Sequence, residues 1–255
     1  MANSPSGDSM VERIVRILAT FDSGRTAQTA SEIARRARLP VSTTHRIVSD
    51  LLTSGLLERD EDGMVRIGLR LWELTTRGSR ALGLRELAVP FMNEVQREIR
   101  EHTQLAVLDE DAVLFIERLS DRGSGANITK VAGRLPLHAS SSGLVLLAHS
   151  PGDFQEAILG TPLRPVSAET ITDPRTLREK LAEVRRLGYA VAPGFIESVS
   201  TGIAVPVEDR AGRVIAALSV VMPRGHEREQ TTISALRRAA AGITKAIEDA
   251  NFVSR

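Results

Sequence analysis

Residues 39–68 read "LPVSTTHRIVSDLLTSGLLERDEDGMVRIG". Pro40 is followed by a run of short hydroxyls, His45 and Arg46, and then by an Asp-Gly turn between two short apolar runs. Helical spacing puts Val41, Thr44, Ile47, Val48, Leu51 and Leu52 on one arc, which predicts a helix from about Val41 to Ser54 with Gly55 as its stop. Ser42, Thr43, His45, Arg46, Ser49 and Asp50 fall on the opposite arc. Several of these are mediocre helix formers, and the long Glu and Lys side chains of a merely solvated face are missing. Short hydroxyls beside one Arg allow close approach to a groove and hydrogen bonding to base edges or phosphates. "LLERD", the turn residues "EDG" and "MVRIG" then read as a β-hairpin.

Two helices precede this one. "SMVERIVRILATF" sets Val11, Ile14, Val15, Leu18 and Phe21 at helical spacing and is broken by "DSG". "TASEIARRAR" opens with Thr29 three residues before Glu32, a capping-box signature. Helix, helix, turn, helix and hairpin make a winged helix-turn-helix over residues 1–68. The candidate DNA contacts are Thr29, Ser42, Thr43, Thr44, His45 and Arg46, together with Arg59 and Arg66, which a wing lays along the backbone or into the minor groove. Similar winged helices also serve as protein–protein modules, and that alternative stays open.

Composition narrows the field less. A chain of 255 residues makes one large domain or two ordinary ones. There is no cysteine, which excludes disulfides and Cys-based metal sites; the five histidines lie far apart without metal-ligand spacing, so neither metal nor cofactor is expected. "MANSPSGDSM" lacks a charged-then-apolar signal pattern, and no run approaches the ~18 apolar residues of a membrane span, so a cytoplasmic protein with no membrane partner is expected. Net charge is +1. The first 80 residues carry twelve Arg, no Lys and ten acids. Arg suits phosphates and guanine edges, but the whole chain has only three lysines, so a general preference for Arg explains the bias equally well.

From Leu69 to about Glu101 the pattern is helical, with breaks expected at Gly78, Gly83 and Pro90. Residues 69–83 read as a linker helix, with Gly78 either a hinge or simply a helix end. Residues 84–255 alternate strand and helix signals: "TQLAVL", "AVLFIER", "YAVA", "STGIAVPVED" and "RVIAALSVVM" as strands, and "TDPRTLREKLAEVRRLG" as a helix with Asp173 as N-cap and Gly188 as stop. The fold class is α+β. "HASSSG" is the stretch most suggestive of chemistry. A helix starting near Ser140 leaves the amides of Ser141 and Ser142 at a positive dipole end, a natural seat for a carboxylate; alternatively, Ser140 merely caps the helix. A nucleophilic serine is disfavoured, because the spacing is not G-x-S-x-G and no Asp follows in triad order. No enzyme is expected.

"LTSGLLERDEDGMVRIG" after "LPVSTTHRIVSDL", "AGRLPLHASSSGLVLLA" and "RRLGYAVAPGFIESVSTGIAVPVEDRAGRVIAALSVVMP" resemble, in order, the head and both halves of the sensor of the IclR family of bacterial transcriptional regulators. The resemblance implies a winged helix-turn-helix, a linker helix and a GAF-like α/β effector-binding domain. It implies a homodimer or dimer of dimers on double-stranded operator DNA, with repression of a metabolic or catabolic operon the adopted reading, and a small carboxylate as effector. Carried over by position, the pocket comprises Leu135, Ser141 and Ser142 facing Ala192, Gly202, Ser219 and Val221. Many members are acidic after "GYA", where this chain has Ala192, Pro193, Gly194, Phe195 and Ile196 before a carboxylate at Glu197. Val221 stands where some members have a second Ser. Fewer buried polar groups favour a less polar ligand, so a carboxylate with a larger apolar or aromatic body is expected rather than glyoxylate or pyruvate.

Overall fold

The computed structural model describes residues 7–22, 24–120, 131–225, 228–250 and 252; the first six residues, Ser23 of the "DSG" break and His226 therefore lie outside the described residues. The chain divides into two compact units, Met1–Ser79 and Arg80–Arg255.

In the first unit, α1 (Met10–Leu18) starts in a capping box between Ser9 and Glu12. It buries Ile17 completely and Ile14 and Leu18 in part, whereas Val11 and Val15 are 67% and 58% exposed. Two of the five apolar positions expected on one face are therefore open. The two-residue strand β1 (Ala27–Gln28) leads into α2 (Ala30–Ala37), where Thr29 and Glu32 form the expected capping box. The Thr29 backbone amide, followed by its hydroxyl, holds the Glu32 carboxyl below its ordinary pKa. α3 (Val41–Thr53) buries Thr44, Ile47, Val48 and Leu51. Val41, expected on the core arc, is 55% exposed because it is the first residue of the helix and has no turn before it to pack against. β2 (Leu57–Arg59) and β3 (Val65–Ile67) form the hairpin, and β1 pairs with the free side of β3 through Ala27↔Arg66 and Gln28↔Val65. That third strand was not expected: two residues carry no alternation to read.

α4 (Leu69–Gly78) buries no residue and ends at Ser79 in extended backbone. α5 (Arg80–Ile99) begins immediately, so the linker expected over 69–83 is interrupted. Gly78 is a helix end. Gly83 is not a hinge; it lies inside α5 against the Phe252 ring. Pro90 does not break α5 either. It forfeits one hydrogen bond, while Leu84, Ala88, Met92 and Val95 on the buried face keep the helix in place.

The second unit is built on β4 (His102–Asp109), β5 (Ala112–Leu119), β6 (Arg134–Pro136), a 3-10 turn at Leu137–Ala139, α6 (Ser141–Ala148), α7 (Gly152–Leu159), α8 (Pro174–Leu187), β7 (Ala190–Pro193), β8 (Ser200–Glu208), β9 (Val214–Pro223) and α9 (Glu229–Asp249). The strands form one antiparallel sheet in the order β6-β5-β4-β9-β8-β7. Alternation along β8 and β9 sorts side chains by size. Ile203, Val205, Val207, Leu218 and Val220 pack under α5 and α9, whereas Ala204 and Ala217 lie under α6. Small residues on that face let α6 settle close to the sheet. The three-residue β6, like β1, is too short to show alternation, and the eight-residue α7 is a further element not expected from the sequence. Among the described residues no helix is long and apolar enough to cross a membrane.

α8 was fully legible. Asp173 accepts hydrogen bonds from the Thr176 amide and hydroxyl, each at 2.8 Å, and Gly188 closes the helix at φ 72°. The amide bond, then the hydroxyl, hold the Asp173 carboxyl below its ordinary 3.8. Its stabilising contribution is therefore present above that value and is lost as pH falls through the lowered folded value. Urea unfolding of Asp173→Asn, whose amide still caps but does not titrate, is expected to show a shallower loss of stability below pH 4 than the parent chain.

Candidate functional site

The head presents one surface of uncommitted polar groups. On α3, Ser42, His45 and Arg46 are exposed and Thr43 is half-buried. None of these side chains has a hydrogen-bond or ion-pair partner among the described residues. Pro40, as N-cap, offers no side-chain acceptor, and the first turn has no acid. Thr44 is not part of this surface, which corrects the candidate set. It is fully buried, and its hydroxyl donates to the Pro40 carbonyl at 3.1 Å, because position 44 falls on the core side of the helical wheel.

The other candidates in the head are engaged with their own elements. Thr29 is exposed, with its hydroxyl donating to Glu32 Oε2 at 2.9 Å. On the wing, Arg59 Nη1 donates to the Gly63 carbonyl at 2.7 Å and Arg66 Nε to Asp60 Oδ2 at 2.8 Å. Asp60 Oδ1 also accepts from the Met64 amide at 2.9 Å. The two arginines thus brace the wing's own turn, with both side chains solvent-facing.

In the second unit a pocket of about 420 Å³, open mouth included, lies between α6 and the sheet. Strand register builds its floor: Gln104 pairs with Ser219, Ser219 with Ala204, Val221 with Gly202, and Gly202 with Ala192. α6 approaches this floor closely. A Cβ on Gly202 would stand 2.7 Å from Ser141 Oγ, and Gly143 sits so tightly on the Leu137 carbonyl that any side chain there would collide with it. Ser142 Oγ donates to Ser219 Oγ at 2.9 Å, tying the first turn of α6 to β9.

Ser140 does cap α6, accepting from the Gly143 amide at 3.1 Å. That takes one first-turn amide. The amides of Ser141 and Ser142, and the Ser141 hydroxyl, have no partner among the described residues and stand at the pocket's end of the helix. They form a neutral, donor-rich seat at the positive end of the helix dipole.

Leu135, Ser141, Ser142, Ala192, Gly202 and Val221 all line the pocket. Ser219 does not; it lies one layer deeper as the partner of Ser142. The pocket is also lined by Phe195, Ile196 and Glu197 of the stretch after "GYA", and by Gln104, Phe115, Ala139 and Ser200, to which nothing in the sequence points. Gln104 reaches the site through cross-strand register, which leaves no mark in sequence. Phe115, Phe195 and Ile196 make the walls largely apolar. Among the described residues lining the pocket, Glu197 is the one formally charged.

The wall from Gly194 to Val199 is fastened on both sides. The Gly194 amide donates to the Ser200 carbonyl at 2.8 Å, and Ser200 donates to the Glu197 carbonyl through its amide at 3.0 Å and its hydroxyl at 3.2 Å. From the segment before α8, Ser167 Oγ donates to the Gly194 carbonyl at 2.6 Å and Thr170 Oγ1 to the Phe195 carbonyl at 2.7 Å. Arg224, at the end of β9, pairs with Glu169 at 2.7 Å. Among the described residues no cluster of His, Asp and Glu could hold a metal ion.

A helix-turn-helix head with an open polar helix face, joined in one chain to a sheet-and-helix domain with a ligand pocket, defines a transcription regulator with an effector-binding domain. Residues 10–61 match the IclR helix-turn-helix domain, and residues 79–245 match the bacterial transcriptional regulator IclR C-terminal domain. The chain belongs to the IclR family. It is 31% identical over 219 residues to the HTH-type transcriptional regulator KdgR of Escherichia coli (strain K12), covering 84% of this chain and 83% of that protein. It is 30% identical over 193 residues to the HTH-type transcriptional regulator KipR of Bacillus subtilis (strain 168), covering 75% of this chain and 77% of that protein. Its fold is similar to the crystal structure of an IclR homolog from Microbacterium hydrocarbonoxydans complexed with 4-hydroxybenzoate. That likeness has a TM-score of 0.90 and 54% identity, covering 94% of this chain and 100% of that one.

Thr170 Oγ1 also accepts from the Val166 and Ser167 amides at 3.1 and 2.8 Å. Thr170→Val leaves three backbone groups to find new partners and is expected to lower unfolding free energy by about 1–3 kcal/mol, read from urea denaturation. Ser198→Ala on the exposed part of the same wall is expected to be near neutral.

Proposed function

We infer that this regulator binds double-stranded operator DNA as a homodimer or dimer of dimers, represses a metabolic or catabolic operon, and responds to a small aromatic carboxylate. The observation that carries the effector reading is the pocket's asymmetry. Two unpaired amides and a hydroxyl lie at the α6 end, and aromatic and aliphatic walls make up most of the rest. A carboxylate seated on the amides would lay an attached ring against those apolar walls. The 4-hydroxybenzoate carried by the 54% identical homolog is a ligand of this class. Effector binding alters operator affinity only so far as it distinguishes the DNA-bound form from the free one.

The DNA reading rests on α3. Ser42, Thr43, His45 and Arg46 enter the major groove, and Arg59 and Arg66 follow the phosphate backbone from the wing, exchanging their present partners for phosphate oxygens. Thr29 lies at the start of α2, where a cap also meets the backbone in helix-turn-helix proteins. Assembly is supported by apolar side chains that the head leaves in water: Val11 and Val15 on α1, and Leu69 at 75%, Trp72 at 65% and Leu74 at 52% on α4. Such a concentration is unusual for a surface that stays uncovered.

Fluorescence anisotropy on DNA from the protein's own upstream intergenic region tests the head. Arg46→Ala is expected to weaken specific binding by about 1–3 kcal/mol, with the parent's affinity falling steeply as salt rises. Affinity no better than for random DNA, with the mutant unchanged, would favour a head that docks protein. Trp72→Ser is expected to shift sedimentation towards smaller species and to weaken operator binding, with the thermal stability of the chain retained.

A further inference from the structure

Glu197 lines the effector pocket, and its carboxylate has no hydrogen-bond or ion-pair partner among the described residues. The neighbouring backbone is fixed, since the Glu197 carbonyl accepts from both the Ser200 amide and the Ser200 hydroxyl. Ser200 starts β8, and two residues further on Gly202 lies under Ser141. Two residues of strand span roughly 6.5–7 Å, so the Glu197 loop and the first turn of α6 meet the pocket at different points along β8.

The ends differ in character. The α6 end offers donors only to an incoming anion, through the Ser141 and Ser142 amides and the Ser141 hydroxyl. At the Glu197 end stands a carboxylate acceptor, with no cation among the described lining residues. A second anion there meets repulsion in a partly desolvated site, whereas a hydroxyl or amine gains a charge-assisted hydrogen bond.

We propose that Glu197 is the specificity-determining residue of the pocket: it selects aromatic monocarboxylates that carry a hydrogen-bond donor opposite the carboxylate, and rejects dicarboxylates. The proposal rests on the aromatic-carboxylate reading of the site given above. Bare aromatic acids bind through the α6 seat and the apolar walls alone. A donor at the far end adds the bond to Glu197, and a second carboxylate at that end is excluded.

Calorimetric titration of the full chain with benzoate, 4-hydroxybenzoate and terephthalate tests this. The parent protein is expected to bind 4-hydroxybenzoate about tenfold or more tighter than benzoate, the range of one hydrogen bond to a charged group, and to bind terephthalate most weakly. Glu197→Ala, with its folding checked by thermal unfolding, is expected to bring 4-hydroxybenzoate to within about threefold of benzoate and to admit terephthalate. Glu197→Gln keeps an acceptor without the charge; it is expected to retain part of the hydroxyl preference while admitting the dicarboxylate. Equal affinity of the parent for benzoate and 4-hydroxybenzoate, or a ratio that Glu197→Ala leaves unchanged, overturns the role of Glu197 and leaves the pocket reading standing. Failure of the parent to bind any of the three acids overturns the pocket reading and this inference with it.

Discussion

The close approach of α6 to the sheet is the constraint on which the sensor depends. An eight-residue helix, every residue of which is buried, sits near enough to β8 that a side chain on Gly202 would displace the Ser141 hydroxyl, and near enough to the preceding turn that Gly143 has no room for one at all. The alanines under the helix and the Ser142–Ser219 hydrogen bond are the complementary half of that fit. A larger residue at Gly143 would force the first turn off the Leu137 carbonyl, and one at Gly202 would move the Ser141 hydroxyl out of the seat. The pocket is thus produced by backbone proximity before any ligand-facing side chain is considered.

The sequence revealed those features whose signals are local. Asp173, Pro174 and Gly188 bracket α8 by capping chemistry, Thr29 and Glu32 do so for α2, and the Asp-Gly turn marks the wing. Features defined by partners far along the chain were not legible. β1 and β6 are two and three residues long, and exist only because β3 and β5 offer free edges. Gln104 and Phe115 reach the pocket through strand register. Breaks were expected at Gly83 and Pro90 because both residues are poor in helices, and the buried face of α5 overrode both. Thr44 shows the reverse: its residue type suits DNA contact, but its place on the helical wheel puts it in the core.

In the head, the wing and the reading helix reach the surface in different states of preparation. α3 carries polar side chains with nothing to give up. Arg59 and Arg66 are held against Gly63 and Asp60, so a move to phosphate trades one bond for another and nets less than a free arginine would. On the proposed reading, affinity comes more from the uncommitted α3 surface, and the wing contributes shape and register.

Because the α6 seat is assembled from peptide dipoles and hydroxyls, with no lysine or arginine among the described residues lining the pocket, an acid bound there is held by dipoles rather than by a paired cation. Dipoles fixed at contact distance are little affected by the ion atmosphere, whereas attraction to a DNA backbone is governed by it. On the proposed reading the two ends of the regulator therefore differ in ionic-strength response: a change in cellular osmolarity would loosen the grip on DNA while leaving the sensing of the acid nearly constant.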